Sequence, residues 1–487
     1  MRALNFAIVL LFATRFAEAQ RDPIAFREPD VIEPGPSRFT VPDPGDYRVE
    51  LGEGLIAFVA EDPETSTVEL TALIGASRLD DPPDEAGLAA AVADAMRRIP
   101  KLDERLYDMA ARVSIATDNE HTRLTLSFLN EDIAEGIALF ATLLRKPNLG
   151  QQPSHSLAKP PWNPDDPRHR PEYELPRILY GDRHPAGRAT TLESLDAITT
   201  DDLRSFHSRY YVPNNVVLAV SGGIHRAATA EALRRALFPW KRATVRHPET
   251  PEPTKAVPRR IHAWSVDRLQ GWMLVGHLGR KGRREEHAAL EIANYILGGN
   301  GAIWKRVHPE LAPARAQGHF DARLFVESRG KRGLSNDISS YVPAGFRVRG
   351  LTYAVTSGRP ESIGYLLKIV DAEWRKIGED VSELDVEIAK GALTTGAFQM
   401  RYAGAHATAL SLAEELFFEG DHAWSQDYVD RVRAVTKADV LAAARKYFRP
   451  EDLVAVLVGP LDAIRNSEHP LYKANLEDFG EVIVHPW

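Results

Sequence analysis

The chain contains no cysteine in its 487 residues. That excludes disulfide frameworks, thiolate zinc sites and cysteine nucleophiles together. It has no long basic block, and 60 Lys and Arg against 68 Asp and Glu leave a net charge of -8. Nucleic acid is therefore not expected as a partner. Beyond the first residues no segment offers the roughly 18 uncharged apolar residues that a membrane-spanning helix needs. Glycine and proline, 33 of each, are near ordinary usage, so the chain is neither collagen-like nor disordered throughout. Among its 16 His there is no H-E-x-x-H and no H-x-x-E-H, and neither a G-x-S-x-G elbow nor a P-loop is present.

The amino terminus carries one strong signal. Arg2 precedes an apolar run from Ala3 to Thr14, and Ala17-Glu18-Ala19 fits a small-x-small cleavage site. Residues 1–19 thus read as a secretory signal peptide, and the expected location is exported, periplasmic or extracellular. Residues 20–46, rich in proline, read as an extended leader. The remaining length, with 44% hydrophobic residues overall, is enough for two or more domains with their own cores.

Hydrophobic periodicity then gives the elements. Strands are expected at Leu55–Ala60 and Thr67–Ile74, where Val68, Leu70, Ala72 and Ile74 alternate. A helix fits Asp84–Arg98, a short one Asp103–Ala111. Paired strands fit Val113–Ala116 and Thr122–Phe128, joined by Asp118-Asn119, and Asn130 is placed to cap the next helix. From Pro147 to Pro176 there are eight prolines, and this stretch reads as a surface loop. In the second half, strands are expected at Trp272–Val275, Ile338–Tyr341, Arg347–Thr356 and Leu453–Val458. Helices are expected at Arg284–Leu297, Pro360–Ile377, Ser382–Met400, Ala405–Phe418, Ser425–Arg433 and Thr436–Tyr447.

An internal repeat organises this pattern. Thr199–Gly222 aligns without gaps on Thr436–Gly459, with Thr199/Thr436, Asp202/Asp439, Tyr210/Tyr447, Pro213/Pro450, Val217/Val454 and Gly222/Gly459 identical. Each copy reads as a capped helix, a Pro stop and a buried strand ending in Gly. The expected fold is α+β: two homologous domains from an internal duplication, each a mostly antiparallel sheet packed with helices. They are placed at 47–240 and 259–487, with the Pro-rich stretch 241–258 as linker.

Isolated histidines give no metal site. His169-Arg170-Pro171-Glu172-Tyr173 lies in the Pro-rich stretch without a second His. A solvated turn is the expectation for His121, and His184-Pro185 reads as a turn. Gly298-Gly299-Asn300-Gly301 follows a helix, the wrong context for a phosphate cradle.

Longer stretches do carry a resemblance. Leu179-Tyr180-Gly181-Asp182-Arg183-His184-Pro185-Ala186-Gly187-Arg188, running on through Ile198–Leu203 and Phe206–Asn215, is similar to a segment of the insulinase and pitrilysin family of zinc peptidases, which includes the mitochondrial processing peptidase. Ile74-Gly75-Ala76-Ser77-Arg78 with Gly87-Leu88-Ala89 resembles the entry to that family's metal helix. Ala293–Gly299 resembles the matching helix end of its second domain. The resemblance covers roughly residues 46–460.

The resemblance also implies what has been lost. The family's His-x-x-Glu-His falls on Ala90, Ala93 and Asp94. Methyl groups neither ligate zinc nor accept a proton. The third ligand, a Glu on a downstream helix, falls in the Pro-rich stretch. No zinc or other cofactor and no catalytic residue is therefore expected. The family's substrate-contacting Arg, with a Tyr seven residues later, is placed at Arg329, leaving Asn336 for the Tyr. A second register uses Pro313 and Phe320. The resemblance implies a non-catalytic homologue, with an active zinc-bearing homologue as heterodimeric partner and extended peptide or unfolded protein as ligand. A stand-alone peptide-binding or scaffold protein is the alternative, and an active peptidase with an atypical site ranks last.

Overall fold

Alternating apolar residues build the first sheet. Val68, Leu70, Ala72 and Ile74 are fully buried on β3 (Thr67–Ile74), as the period-two reading requires. The computed structural model describes residues 39–159, 166–253, 257–283, 286–299, 322–467, 469 and 471–487. The signal-peptide reading, the Phe320 and Pro313 register and Asn300-Gly301 lie outside these residues. Within Val41–Trp487, β3 joins β1 (Arg48–Gly52), β2 (Leu55–Glu61), β4 (Arg112–Thr117), β5 (Thr122–Leu129) and β6 (Val216–Gly222). The sheet order is β1-β2-β6-β3-β5-β4.

The second sheet repeats this plan. It comprises β7 (Arg260–Ser265), β8 (Gly271–Leu278), β9 (Ser335–Tyr341), β10 (Leu351–Gly358), β11 (Val454–Gly459) and β12 (Glu481–His485), in the order β12-β7-β11-β8-β10-β9. β6 and β11 hold the same place, parallel to β2 or β7 on one side and antiparallel to β3 or β8 on the other. The sheets differ at one edge. β1 covers β2 antiparallel, whereas β12 covers β7 in parallel.

The sequence repeat lies at these equivalent places. Thr199 and Thr436 each donate their backbone N–H to Asp202 or Asp439 at 2.8 Å, and each Asp N–H returns to the Thr hydroxyl at 3.3 Å. The helices Thr200–Tyr210 and Lys437–Tyr447 follow, and Pro213 and Pro450 each open a short 3₁₀ turn into the buried strand. Gly222 ends β6 at φ 124°, where a Cβ would stand 2.0 Å from the Thr67 carbonyl oxygen.

Several expectations are corrected. The helix expected from Asp84 starts at Leu88 and ends at Met96, because Gly87 turns left-handed (φ 107°) directly before it. Asn130 opens a 3₁₀ turn and makes no side-chain cap. The helix expected over Ser382–Met400 stops at Gly391 and continues as a wide turn, Ala392–Ala397, and a 3₁₀ turn, Gln399–Tyr402.

The largest correction concerns the Pro-rich stretch. Arg170–Tyr180 is a helix. Pro171 sits in its first turn, where no backbone donor is needed, and Pro176 lies in its interior. The cost of Pro176 is offset by tertiary burial. Leu175 and Leu179 pack with Trp264, Leu274, Val454, Val456 and Val458. These partners belong to the second sheet, so a helix from the first half covers the other half's sheet. The converse also holds: helix Ala405–Glu419 packs against β6 and β2 of the first sheet.

Polar contacts fix this exchange. The Arg347 guanidinium, from the β9–β10 connection, donates to both Asp80 oxygens at 2.8 Å and to the Ser77 hydroxyl at 2.8 Å. Glu120 accepts from the backbone N–H groups of Phe346 and Arg347 at 2.6 and 2.9 Å. His247, in the stretch read as linker, reaches Asp80 at 2.9 Å. Burial alone would raise the Asp80 carboxyl, but the hydrogen bonds from His247 and Arg347 overcome it and hold the group below its ordinary value.

Two outcomes follow from this packing. Leu175→Ala should lower unfolding free energy by about 2–5 kcal/mol, because the side chain is fully buried between halves. A denaturant titration checks it, and a change no larger than that of a surface variant refutes it. Asp80→Asn should cost about 3–5 kcal/mol near neutral pH by leaving Arg347 without its carboxylate. The Asp80 contribution is present above the unfolded carboxyl value of about 3.9 and is lost as pH falls through the depressed folded value. The stability gap between parent and variant should therefore shrink below about pH 4. A gap independent of pH down to 3 would contradict the assignment.

Candidate functional site

Helix Leu88–Met96 is alanine-rich, and its start is set by Gly87 and Asp81. The Asp81 carboxyl accepts from the N–H groups of Gly87 and Ala89, both at 2.8 Å. Complete burial pushes that carboxyl up to about 7, against the pull of those bonds. A Cβ on Gly87 would stand 2.6 Å from the Thr190 methyl, so the entry tolerates only glycine. Arg188, the end of the segment beginning at Leu179, donates to the Asp81 and Pro82 carbonyls at 3.0 Å. The two stretches that carry the family resemblance therefore meet here and brace one helix.

That helix presents Ala90, Ala93 and Asp94 to a cavity of about 290 Å³, shared with Arg97, Ile115, Thr117 and Leu157. The three motif positions thus share one face, as a His-x-x-Glu-His site would require. Their chemistry does not fit zinc. Two positions end in methyls, and Asp94 is engaged by Arg98, whose Nε donates to it at 3.1 Å. Among the described residues no group of three or more His, Asp or Glu side chains converges as a metal site. Helix Arg170–Tyr180 carries Glu172 and Glu174 but packs on the second sheet. Between 147 and 159 the regular structure is a single 3₁₀ turn, His155–Ala158.

β4 forms the wall of this cavity and is the edge of the first sheet. Its opposite face borders another cavity, of about 560 Å³, between Ser114, Ala116 and His121 on one side and Tyr341, Pro343 and Ala344 on the other. Arg123 and Glu414 pair across the halves beside it. His121 is buried rather than solvated: its Nδ1 lies 3.1 Å from Asp118, and Phe417 and Phe418 cover the ring. The phenylalanines come from the exchanged helix, which local sequence could not reveal. His184 is also buried, with its Nε2 2.8 Å from the Pro251 carbonyl, whereas His169 is exposed.

Arg329 is exposed on the wide turn Val326–Gly330 and donates to the backbone oxygen of Asn336 at 3.0 Å. The two positions suggested for the substrate pair are thus neighbours, at the start of edge strand β9. No motif search singles out Arg280, His287 and Glu291, which the second half gathers beside its own equivalent helix, His287–Leu297. The available signal was a His and a Glu four apart on one helix face.

Comparison with known proteins agrees with this geometry. A family profile described as "Peptidase M16 inactive domain" matches residues 197–393. The chain is 25% identical to an uncharacterized zinc protease of Streptomyces coelicolor over 369 residues, 71% of this chain and 73% of that one. A crystal structure from Pseudomonas fluorescens, described as a peptidase M16 inactive domain, shares the fold with TM-score 0.68 at 22% identity, covering 85% of this chain and 97% of that one. A chain of Complex III from Candida albicans does so with TM-score 0.62 at 17% identity, covering 86% and 97%. In sequence and in fold, then, this chain resembles the insulinase and pitrilysin (M16) family of peptidases.

Proposed function

We propose that the chain is a non-catalytic peptidase homologue that holds an extended peptide for an active, zinc-bearing homologue, its partner in a heterodimer. One observation carries this reading. The motif face is intact in shape but presents two methyls and an Asp engaged by Arg98, beside an open sheet edge. An edge strand offers unpaired N–H and C=O groups that a peptide can extend. Chains of this fold occur in multi-subunit assemblies, as in Complex III of Candida albicans. Export, periplasmic or extracellular, is proposed on Arg2, the apolar run Ala3–Thr14 and Ala17-Glu18-Ala19. Among the described residues no helix is long and apolar enough to cross a membrane.

The partner is tested by affinity purification of the tagged chain from its native host. A homologue with an intact His-x-x-Glu-His should co-purify, and peptide cleavage should require both chains. Cleavage by this chain alone would refute the reading, and recovery as a lone peptide-binding chain would favour the stand-alone scaffold.

The metal is tested separately. The purified chain should hold no stoichiometric zinc on elemental analysis. Ala90→His, Ala93→Glu and Asp94→His together supply two ligands and a base, but no third ligand faces them among the described residues. Asp94→His also removes the Arg98 pair. The triple variant should bind zinc weakly in a calorimetric titration and show no chelator-sensitive cleavage of an unstructured peptide. Turnover at an ordinary enzymatic rate would show that only these three substitutions silence the site.

A further inference from the structure

The duplication places a second cavity opposite the first in kind. Helix His287–Leu297, between β8 and β9, occupies the place that Leu88–Met96 holds between β3 and β4, β8 being the counterpart of β3 in its sheet. Counted back from the last helical residue, Ala90, Ala93 and Asp94 correspond to Glu291, Asn294 and Tyr295, and these three line a cavity of about 360 Å³. The first cavity is faced by two methyls, Asp94 and Arg97. The second is faced by charge.

Three guanidinium groups, Arg280, Arg283 and Arg401, and one carboxylate, Glu291, line the second cavity. All three arginines are nearly inaccessible, with Arg401 only 3% exposed. The compensating carboxylates lie behind them: Glu415 pairs with Arg401 at 3.0 Å and Glu419 with Arg283 at 2.8 Å, and neither lines the cavity. Glu291 is engaged by the His287 Nε2 at 3.3 Å and lies within electrostatic reach of Arg280, so one carboxylate on the wall stands against three guanidinium groups. The Arg401 Nε is buried without an acceptor, and on the same cavity the Glu291 Oε2 is buried without a donor. A guanidinium with an unsatisfied buried N–H keeps hydrogen-bonding capacity beside the cavity it lines. Trp424 forms part of the wall, with Arg283 stacked 3.9 Å from its ring centroid and Arg401 at 5.1 Å, and Leu393 adds an apolar side.

We propose that this cavity binds a carboxylate carried by peptide, from an acidic side chain or a free C-terminus, with Arg401 meeting the oxygens and Trp424 and Leu393 holding the aliphatic stem. A guanidinium engaged on one edge keeps a further edge for a carboxylate, a pairing that is strong when desolvated. The inference rests on the peptide-binding part of the function proposed above and names the chemical class of the peptide.

The test measures fluorescence anisotropy of three dansylated short apolar peptides. One has a central Glu and an amidated C-terminus, one has no acidic side chain and a free C-terminus, and one has neither. The parent chain should bind a carboxylate-bearing peptide at least about tenfold more tightly than the neutral one, with the preference falling as salt is added. The two acidic peptides distinguish side chain from terminus. Arg401→Gln should remove the preference. Because Arg401 also pairs with Glu415 and its loss could unfold the chain, Ala397→Phe provides a second route: it fills the cavity from the Ala392–Ala397 turn while leaving every ion pair in place. It should also remove the preference at unchanged melting temperature. Equal binding of all three peptides, or a preference that survives Ala397→Phe, overturns the cavity assignment and leaves peptide binding standing. No binding of any peptide overturns both.

Discussion

Each sheet of this protein is covered by a helix from the opposite half. β6 and β11 are buried along their whole length, so both faces of each sheet centre must be covered. Helix Arg170–Tyr180 covers the second sheet, and Ala405–Glu419 covers the first. Neither half can therefore bury its core alone. The Arg347–Asp80 pair and the Glu120 contacts sit at the same junction and fix how the halves face each other. The cavity between β4 and Tyr341–Ala344 is bounded by both halves, so its width depends on how the halves pack.

What the sequence made legible follows from locality. β3 was readable because Val68, Leu70, Ala72 and Ile74 alternate within one strand, and the two capped helices because Thr199–Asp202 and Thr436–Asp439 close over three residues. Helix Arg170–Tyr180 was not readable. Its local signal is proline, and what stabilises it is the second sheet, whose residues lie about ninety or more positions away in the chain. The same distance hid the burial of His121 beneath Phe417 and Phe418, and the pairing of Asp80 with Arg347. The break after Gly391 was hidden for a related reason: an apolar periodicity runs through it, and only packing shows where the helix widens.

The candidate site divides along the same line. The chemistry of Ala90, Ala93 and Asp94 was legible because it is a matter of residue type at three positions on one helix. The fate of Asp94 was half legible: an Asp with an Arg four residues on is a helical ion pair, and Arg98 supplies it. The cluster in the second half was illegible, because Arg280, Glu291, Arg401 and Trp424 come from four separate elements.

The duplication then explains why the two cavities differ in electrostatics while sharing a shape. In the first, Asp94 is paired with Arg98, Ala90 and Ala93 end in methyls, and Arg97 is the one guanidinium on the wall. In the second, the carboxylates that balance Arg283 and Arg401 stand behind them. A peptide held as proposed above would therefore meet three guanidinium groups in the second half's recess and one in the first's. Coulomb attraction in a water-poor recess is stronger than at the surface, so a carboxylate would orient a peptide that backbone pairing along β4 leaves unordered. On the function proposed above, a chain with Ala90, Ala93 and Asp94 on its first helix would in this way still select and align a peptide, because the selecting charge resides in the second copy.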